Sequence, residues 1–494
     1  CYITKDITYI DKDKNIIYNK TRKNRMKYVQ HSVLDIEKRG FEEMNKKRFL
    51  SMAVVCALMA STSATVFANP LTDAKDPAYV ELTAVADNAK AKGEALSAQE
   101  LEKLAPAVAA LKLVDNKANG QTVALYRYLS AVTKAGKVIY GHENDAHHKM
   151  FRPENGTQSD TKDITGSYSG IVGFDALSFV GDEQRLDDCE WNMGKTYVDK
   201  MVELTTPAVK EGAIISLSMH MPNFDMVERR AKVTGSTPEN RDHYINYSTH
   251  ISDGNVVHRI LPGGDLNNSF NGYLDRVAEY AERMEKEGAP ILFRPLHEHN
   301  GYWFWWGKDH CSAKDFQKLW EYTVTYLRDT KGVHNMLYVY SPNGHFNNTA
   351  EYLDRYPGDK WVDIMGVDTY DDDQTGEWYK LLANDLAVMN QVAEKNGKLI
   401  TISEAGVRRG GSLCVTGNVD KDWFSKVANI AVANKAAYFM TWSNFEKLEH
   451  NFFAPYMVSK TRGQEMINNF VDFYNMPETL FADGISWQKL DNNK

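Results

Sequence analysis

Two glutamates stand where apolar runs give way to polar sequence. The stretch that opens Ala289-Pro290-Ile291-Leu292-Phe293 reaches Arg294-Pro295-Leu296-His297-Glu298 and turns polar and tryptophan-rich after it, while Glu404 closes Leu399-Ile400-Thr401-Ile402-Ser403. A short apolar run bounded by turn signals reads as a buried strand, so each carboxyl falls where a strand ends. Two such carboxyls facing one mouth suit cleavage of a glycosidic bond, one protonating the leaving oxygen and the other attacking or assisting at the anomeric carbon. The competing reading is a structural carboxylate paired with an arginine such as Arg408 or Arg409. Behind Glu298 the aromatic run from Tyr302 to Trp306 offers flat apolar faces of the kind a pyranose ring stacks on. For any one of these rings the alternative is a plug at the end of a core.

Eight apolar runs follow one another after Gly136: Lys137–Glu143, Ser169–Asp175, Ala213–His220, Pro290–Glu298, Asn335–Ser341, Val362–Tyr370, Lys398–Glu404 and Ala437–Ser443. Helical periodicity lies between several of them, at Gly272–Lys286, Ala313–Arg328, Glu377–Lys395 and Asp420–Ala433. Strands alternating with helices imply parallel pairing, and eight such units predict an α/β fold, a closed (β/α)8 TIM barrel. Barrels of this kind carry their sites at the carboxyl ends of the strands. That rule selects His142 and Glu143, Asp175, His220, His297 and Glu298, Asp368 and Tyr370, Glu404, and Trp442. The long link from Met221 to Asn271 exceeds a plain connection and is expected to wall the site. Ahead of the barrel, Ser97-Ala98-Gln99-Glu100 fits a capping box, and a further helix is expected over Thr122–Lys134.

The chain of 494 residues divides by charge: the first fifty carry 13 Lys plus Arg against 7 Asp plus Glu, leaving 45 against 59 in the remainder, a net of −14. An acidic folded part disfavours nucleic acid and anionic membranes and suits a neutral ligand. Residues 44–68 have the basic start, apolar middle and small-residue end of a secretory signal, with an apolar run too short to span a membrane. The expected organisation is an upstream leader at 1–43, the signal at 44–68, a helical N-terminal extension at 69–120 and one catalytic domain at 121–480. A secreted or periplasmic monomer follows. Cys189, Cys311 and Cys414 give no readable disulfide framework.

His297-Glu298-His299-Asn300-Gly301 leading into Trp303, with Ile402-Ser403-Glu404-Ala405-Gly406 and Gly366-Val367-Asp368-Thr369-Tyr370, resembles glycoside hydrolase family 26, mostly β-1,4-mannanases. Gly141-His142-Glu143-Asn144-Asp145, Met219-His220-Met221-Pro222-Asn223 and Thr441-Trp442-Ser443 agree with the same pattern. The resemblance implies a retaining mechanism without metal or cofactor, with Glu298 as proton donor after strand 4 and Glu404 as nucleophile after strand 7. It also implies that His297 positions the donor or the sugar, and that Tyr370 hydrogen-bonds the nucleophile. Trp442 would be the platform under the cleaved sugar, with Trp303 and His220 lining that subsite and His142 contacting sugar or serving as a structural histidine. The substrate it implies is β-mannan or a related polysaccharide, cleaved internally. The Ala146-His147-His148-Lys149-Met150 run departs from the familiar pattern and leaves exo against endo action open.

Three other readings compete. β-1,3-1,4-Glucanase and β-1,3-xylanase activities occur in the same family. A metal-dependent barrel hydrolase would use the histidines after strand 1 and at 297 and 299, but HExxH spacing is missing and strand 8 ends Trp442-Ser443-Asn444 rather than in an aspartate. A non-catalytic polysaccharide-binding protein would have no need of both carboxyls.

Overall fold

In the computed structural model of the chain, the described residues are 79–82, 88–150, 158–234, 254–408, 411–445 and 451–491, with two short segments near the N-terminus. The chain forms two compact units, Cys1–Asp76 and Pro77–Lys494. Within the first, Thr8–Asp11 pairs antiparallel with Ile16–Asn19. The signal segment 44–68 lies outside the described residues.

The second unit holds the barrel. Its strands are β1 (Val138–Glu143), β2 (Ile171–Asp175), β3 (Ile214–Met219), β4 (Ile291–Pro295), β5 (Met336–Tyr340), β6 (Ile364–Asp371), β7 (Leu399–Val407) and β8 (Ala436–Thr441). Each pairs parallel with the next, and β8 closes on β1 with Tyr438 opposite Ile139 and Thr441 opposite His142. Strands covered on both faces need apolar residues at consecutive positions, which is why they read as continuous runs rather than alternating ones. The added strand β9 (Thr479–Leu480) pairs with the start of β1.

The helices include α1 (Ala98–Leu104), α2 (Gly120–Lys134), α3 (Tyr197–Lys210), α4 (Asn267–Lys286), α5 (Ala313–Thr325), α6 (Glu377–Asn396), α7 (Trp423–Ala433) and α8 (Ile467–Asn475), with others between them, among them Phe224–Thr234. The expected capping box is present: the Ser97 hydroxyl accepts from the Glu100 N–H, and the Glu100 carboxylate accepts from the Ser97 N–H. Helix α2 starts earlier than Thr122 because the Asn119 side chain caps it. Leu101 of α1 and Leu125 and Leu129 of α2 share one core with Ile139, Ile171, Ile214, Leu292, Leu337 and Ile364. These last six are first or second residues of their strands, so the helical preface plugs the amino end of the barrel. The opposite end is left for the site.

Two strand ends differ from the sequence reading in ways that matter to the site. Strand β4 stops at Pro295, three residues before Glu298, because Leu296 takes φ 54° and leaves the extended region. Strand β7 runs on to Val407, with a register shift against β6 between Ile402 and Glu404. Such an irregularity re-aims the side chain beside it. The helix expected to reach Arg328 ends at Thr325 and passes into a wider turn over Tyr326–Thr330. Among the described residues no helix is long and apolar enough to cross a membrane.

Candidate active site

Arg294, an arginine inside an apolar strand, organises the centre. A buried guanidinium needs charged partners to offset its desolvation, and Arg294 has two: one nitrogen lies 2.8 Å from Asp368 Oδ2 and another 2.7 Å from Glu404 Oε2. Burial weakens its hold on the proton, but Asp368, Glu404 and Glu143 more than offset this and keep it charged. Asp368 Oδ1 accepts from the hydroxyls of Ser341 at 2.5 Å and Ser403 at 2.7 Å. Burial raises Asp368 to about 7 against the pull of Arg294.

Glu404 is buried, and its second oxygen accepts from the Tyr370 hydroxyl. Burial, then the charges of Glu404 and Glu298, hold the Tyr370 phenol well above its ordinary range, so it stays a donor. The nucleophile candidate is thus fixed at both oxygens, by a cation on one and a phenol on the other. Its partner is Arg294; Arg408, which a structural role suggested, pairs with Asp372 instead, and Arg409 lies outside the described residues.

Glu298 sits in the turn after β4 with φ 51°, and its backbone N–H donates to Ser341 O at 2.8 Å. Its Oε2 accepts from the Trp303 indole N–H at 2.8 Å. Burial lifts this carboxyl well above its ordinary range, and the nearby charges of Glu404 and Asp368 lift it further, while Arg294 and Trp303 pull back only in part. Desolvation and a like-charged neighbour are the means by which a carboxylic acid keeps its proton at neutral pH. Gly301 leaves room for the Trp303 ring against the turn: a Cβ there would lie 2.5 Å from it.

His220 at the end of β3 is clamped at both ring nitrogens. Its Nδ1 lies 2.7 Å from Asp175 Oδ2, and its Nε2 lies 3.1 Å from His297 Nε2. Burial, then His220, holds His297 well below the usual histidine range, hence neutral. The His220 ring lies 5.9 Å from that of Trp442, a half-buried residue whose backbone N–H donates to Ala405 O on β7. His220, Trp442, Trp303, Tyr370 and the two glutamates therefore belong to one constellation at the carboxyl end of the barrel.

His142 and most of the aromatic run are placed differently. His142 is fully buried, with Nδ1 3.2 Å from Asp145, which is itself held by Ser159 and Ser169. Phe304, Trp305 and Trp306 are buried too, the two indoles donating to Met221 O and His297 O, so only Tyr302 and Trp303 of the run reach the surface. His299 packs between Phe316 and Tyr340 rather than on the face of His297. Among the described residues no histidine, cysteine and carboxylate group could hold a metal ion, and Cys189, Cys311 and Cys414 are unpaired. Sequence reasoning gave no role to Arg294; its signal was the single charge within an apolar strand.

A closed parallel barrel with one carboxyl raised by burial after β4 and one bonded to a cation on β7 is an arrangement suited to a glycoside hydrolase. The chain belongs to Glycosyl hydrolase family 26, which matches residues 114–445. It is 33% identical over 385 residues to a mannan endo-1,4-beta-mannosidase of Bifidobacterium adolescentis, covering 75% of this chain and 36% of that protein. A second, from Bacillus subtilis, is 32% identical over 167 residues, covering 33% of this chain and 41% of that one. The chain thus spans well under half the length of these curated relatives. Its fold is similar to the catalytic domain of a GH26 endo-beta-1,4-mannanase from Bacillus sp. JAMB-750, with TM-score 0.66 and 33% identity, covering 76% of this chain and 95% of that one.

Proposed function

We propose that this chain is a retaining endo-1,4-β-mannanase, cleaving internal bonds of mannan, glucomannan or galactomannan by double displacement. The observation that carries this is the unequal treatment of two glutamates in one site. Burial pushes Glu298 toward its protonated form, ready for the leaving oxygen, and Glu404 is bonded to Arg294 on one oxygen and to Tyr370 on the other. In the first step Glu404 attacks the anomeric carbon while Glu298 gives its proton to the departing sugar. Glu298, now a carboxylate, then takes a proton from the water that opens the glycosyl-enzyme. Trp442 supplies the stacking face under the cleaved sugar, and Trp303 and His220 flank it. The relatives named above carry the choice of mannan as substrate.

Reducing-sugar release should be fastest on mannan and glucomannan, and slower on lichenan and xylan, when the four are compared side by side. A preference for lichenan or xylan would move the substrate to the glucan or xylan branch of the family. The basic, apolar and small-residue segments of 44–68 support secretion. Amino-terminal sequencing of the exported protein should then begin near Asn69.

A further inference from the structure

The turn that carries Glu298 is strained twice, at Leu296 with φ 54° and at Glu298 with φ 51°. A non-glycine residue in the left-handed region is strained and persists only where its surroundings over-determine it. Within the turn, Gly301 N–H donates to Glu298 O and Lys308 N–H to Gly301 O, both at 2.9 Å, but past the Glu298 N–H bond to Ser341 O the turn has left the β4–β5 ladder. Two residues on, a side chain takes the ladder's place. Asn300 Nδ2 donates to Asn343 O at 2.7 Å, and Asn300 Oδ1 accepts from the Asn343 N–H at 2.8 Å. A carboxamide has the donor and acceptor of a peptide group, so this reciprocal pair is a ladder rung made by a side chain.

The rung connects to the other glutamate. Asn343 bridges in parallel to Asp368, with Gly344 N–H donating to Asp368 O at 2.8 Å and Asp368 N–H to Pro342 O at 3.0 Å. The Asp368 carboxylate holds Arg294, and Arg294 holds Glu404. One continuous frame thus runs from the acid's turn through Asn300, Asn343, Asp368 and Arg294 to the nucleophile.

We infer that Asn300 is a positioning residue for Glu298: it touches no reacting atom, and it fixes the acid's reach to the leaving oxygen by locking the strained turn to the strand that anchors the nucleophile. The inference rests on the functional reading above. Loss of the rung impairs proton donation in the first step and proton removal from water in the second. Attack by Glu404 stays intact.

The test compares Asn300→Ala with wild type on mannan and on dinitrophenyl β-mannobioside, whose leaving group departs without protonation. On mannan kcat/KM should fall on the order of 10²-fold, the scale of a small misplacement of a catalytic group. On the activated substrate kcat/KM should be unchanged while kcat and KM fall together, because the glycosyl-enzyme accumulates. Azide should restore that kcat and yield β-mannobiosyl azide. If Asn300→Ala does not fold, Asn300→Asp, which keeps the volume and one of the two bonds, is read by the same comparison. Equal loss of kcat/KM on both substrates, or no loss on mannan, would overturn the assignment. A wild-type protein that leaves mannan intact would instead sink the functional reading.

Discussion

Glu298 and Glu404 are the same side chain in different surroundings, and the roles proposed for them rest on those neighbours. Glu298 has Trp303 as donor and is surrounded by apolar bulk and negative charge, so its proton affinity rises well above the ordinary 4.5. Activity should therefore be lost on the alkaline side as Glu298 gives up its proton, seen as a fall in kcat/KM with rising pH. Glu404→Ala should abolish turnover of every substrate. Glu298→Ala should keep the first step on activated aryl mannosides, accumulate glycosylated Glu404 by mass spectrometry and be rescued by azide. Equal inactivity of the two variants on activated substrates would falsify the division of roles. Arg294 belongs to the same scale: Arg294→Met leaves Asp368 and Glu404 buried without their cation. It should lower stability by about 3–5 kcal/mol, measurable by denaturant unfolding, as well as activity.

At the level of elements, the aromatic run after β4 divides between buried rings and rings that reach the surface. Trp306 is fully buried, with its ring stacked 4.4 Å from Phe304 and its N–H on His297 O. Trp306→Ala should cost about 3–5 kcal/mol and lower the melting temperature, with loss of activity following from misfolding. Trp442 is half-buried just past the end of β8, so Trp442→Ala should leave the melting temperature close to wild type while raising KM for mannan. A melting temperature lowered as far as that of Trp306→Ala would make Trp442 a core residue. The same division explains why periodicity could not sort the run. Every residue from Tyr302 to Trp306 is aromatic, and only the turn after Gly301 decides which rings point inward.

Across the whole molecule, the barrel interior concentrates ionisable groups near one mouth, and this ties stability to pH. Glu143 at the end of β1 is raised to about 8 by burial, with Glu404 and Asp175 adding to this and Arg294 opposing it. Its ordinary value is 4.5, so between the two the folded state binds more protons than the unfolded one, and stability falls as pH rises through that window. Glu143→Gln cannot ionise and is spared this loss. Its melting temperature relative to wild type should therefore be higher at about pH 9 than at about pH 5. A gap that does not change with pH would show that Glu143 is ionised throughout.

What the sequence determined by itself was the alternation of strand and helix, and hence the barrel, because residues covered on both faces must be apolar in unbroken runs. It also located the two carboxyls, through the rule that such barrels keep their chemistry at the strand ends, and the family through motifs at three of those ends. The tertiary structure decided what depends on groups far apart in the chain. Arg294 meets Glu404 across 110 positions, and His220 meets Asp175 across 45 and His297 across 77. No local pattern encodes such contacts, because they arise from the closure of the barrel. Only the tertiary structure could show that β4 ends before Glu298 and β7 continues beyond Glu404, since a positive φ and a shifted register are fixed by neighbouring strands. His142, read as a contact or a structural residue, was settled as buried on Asp145 for the same reason: its surroundings come from loops brought together by folding.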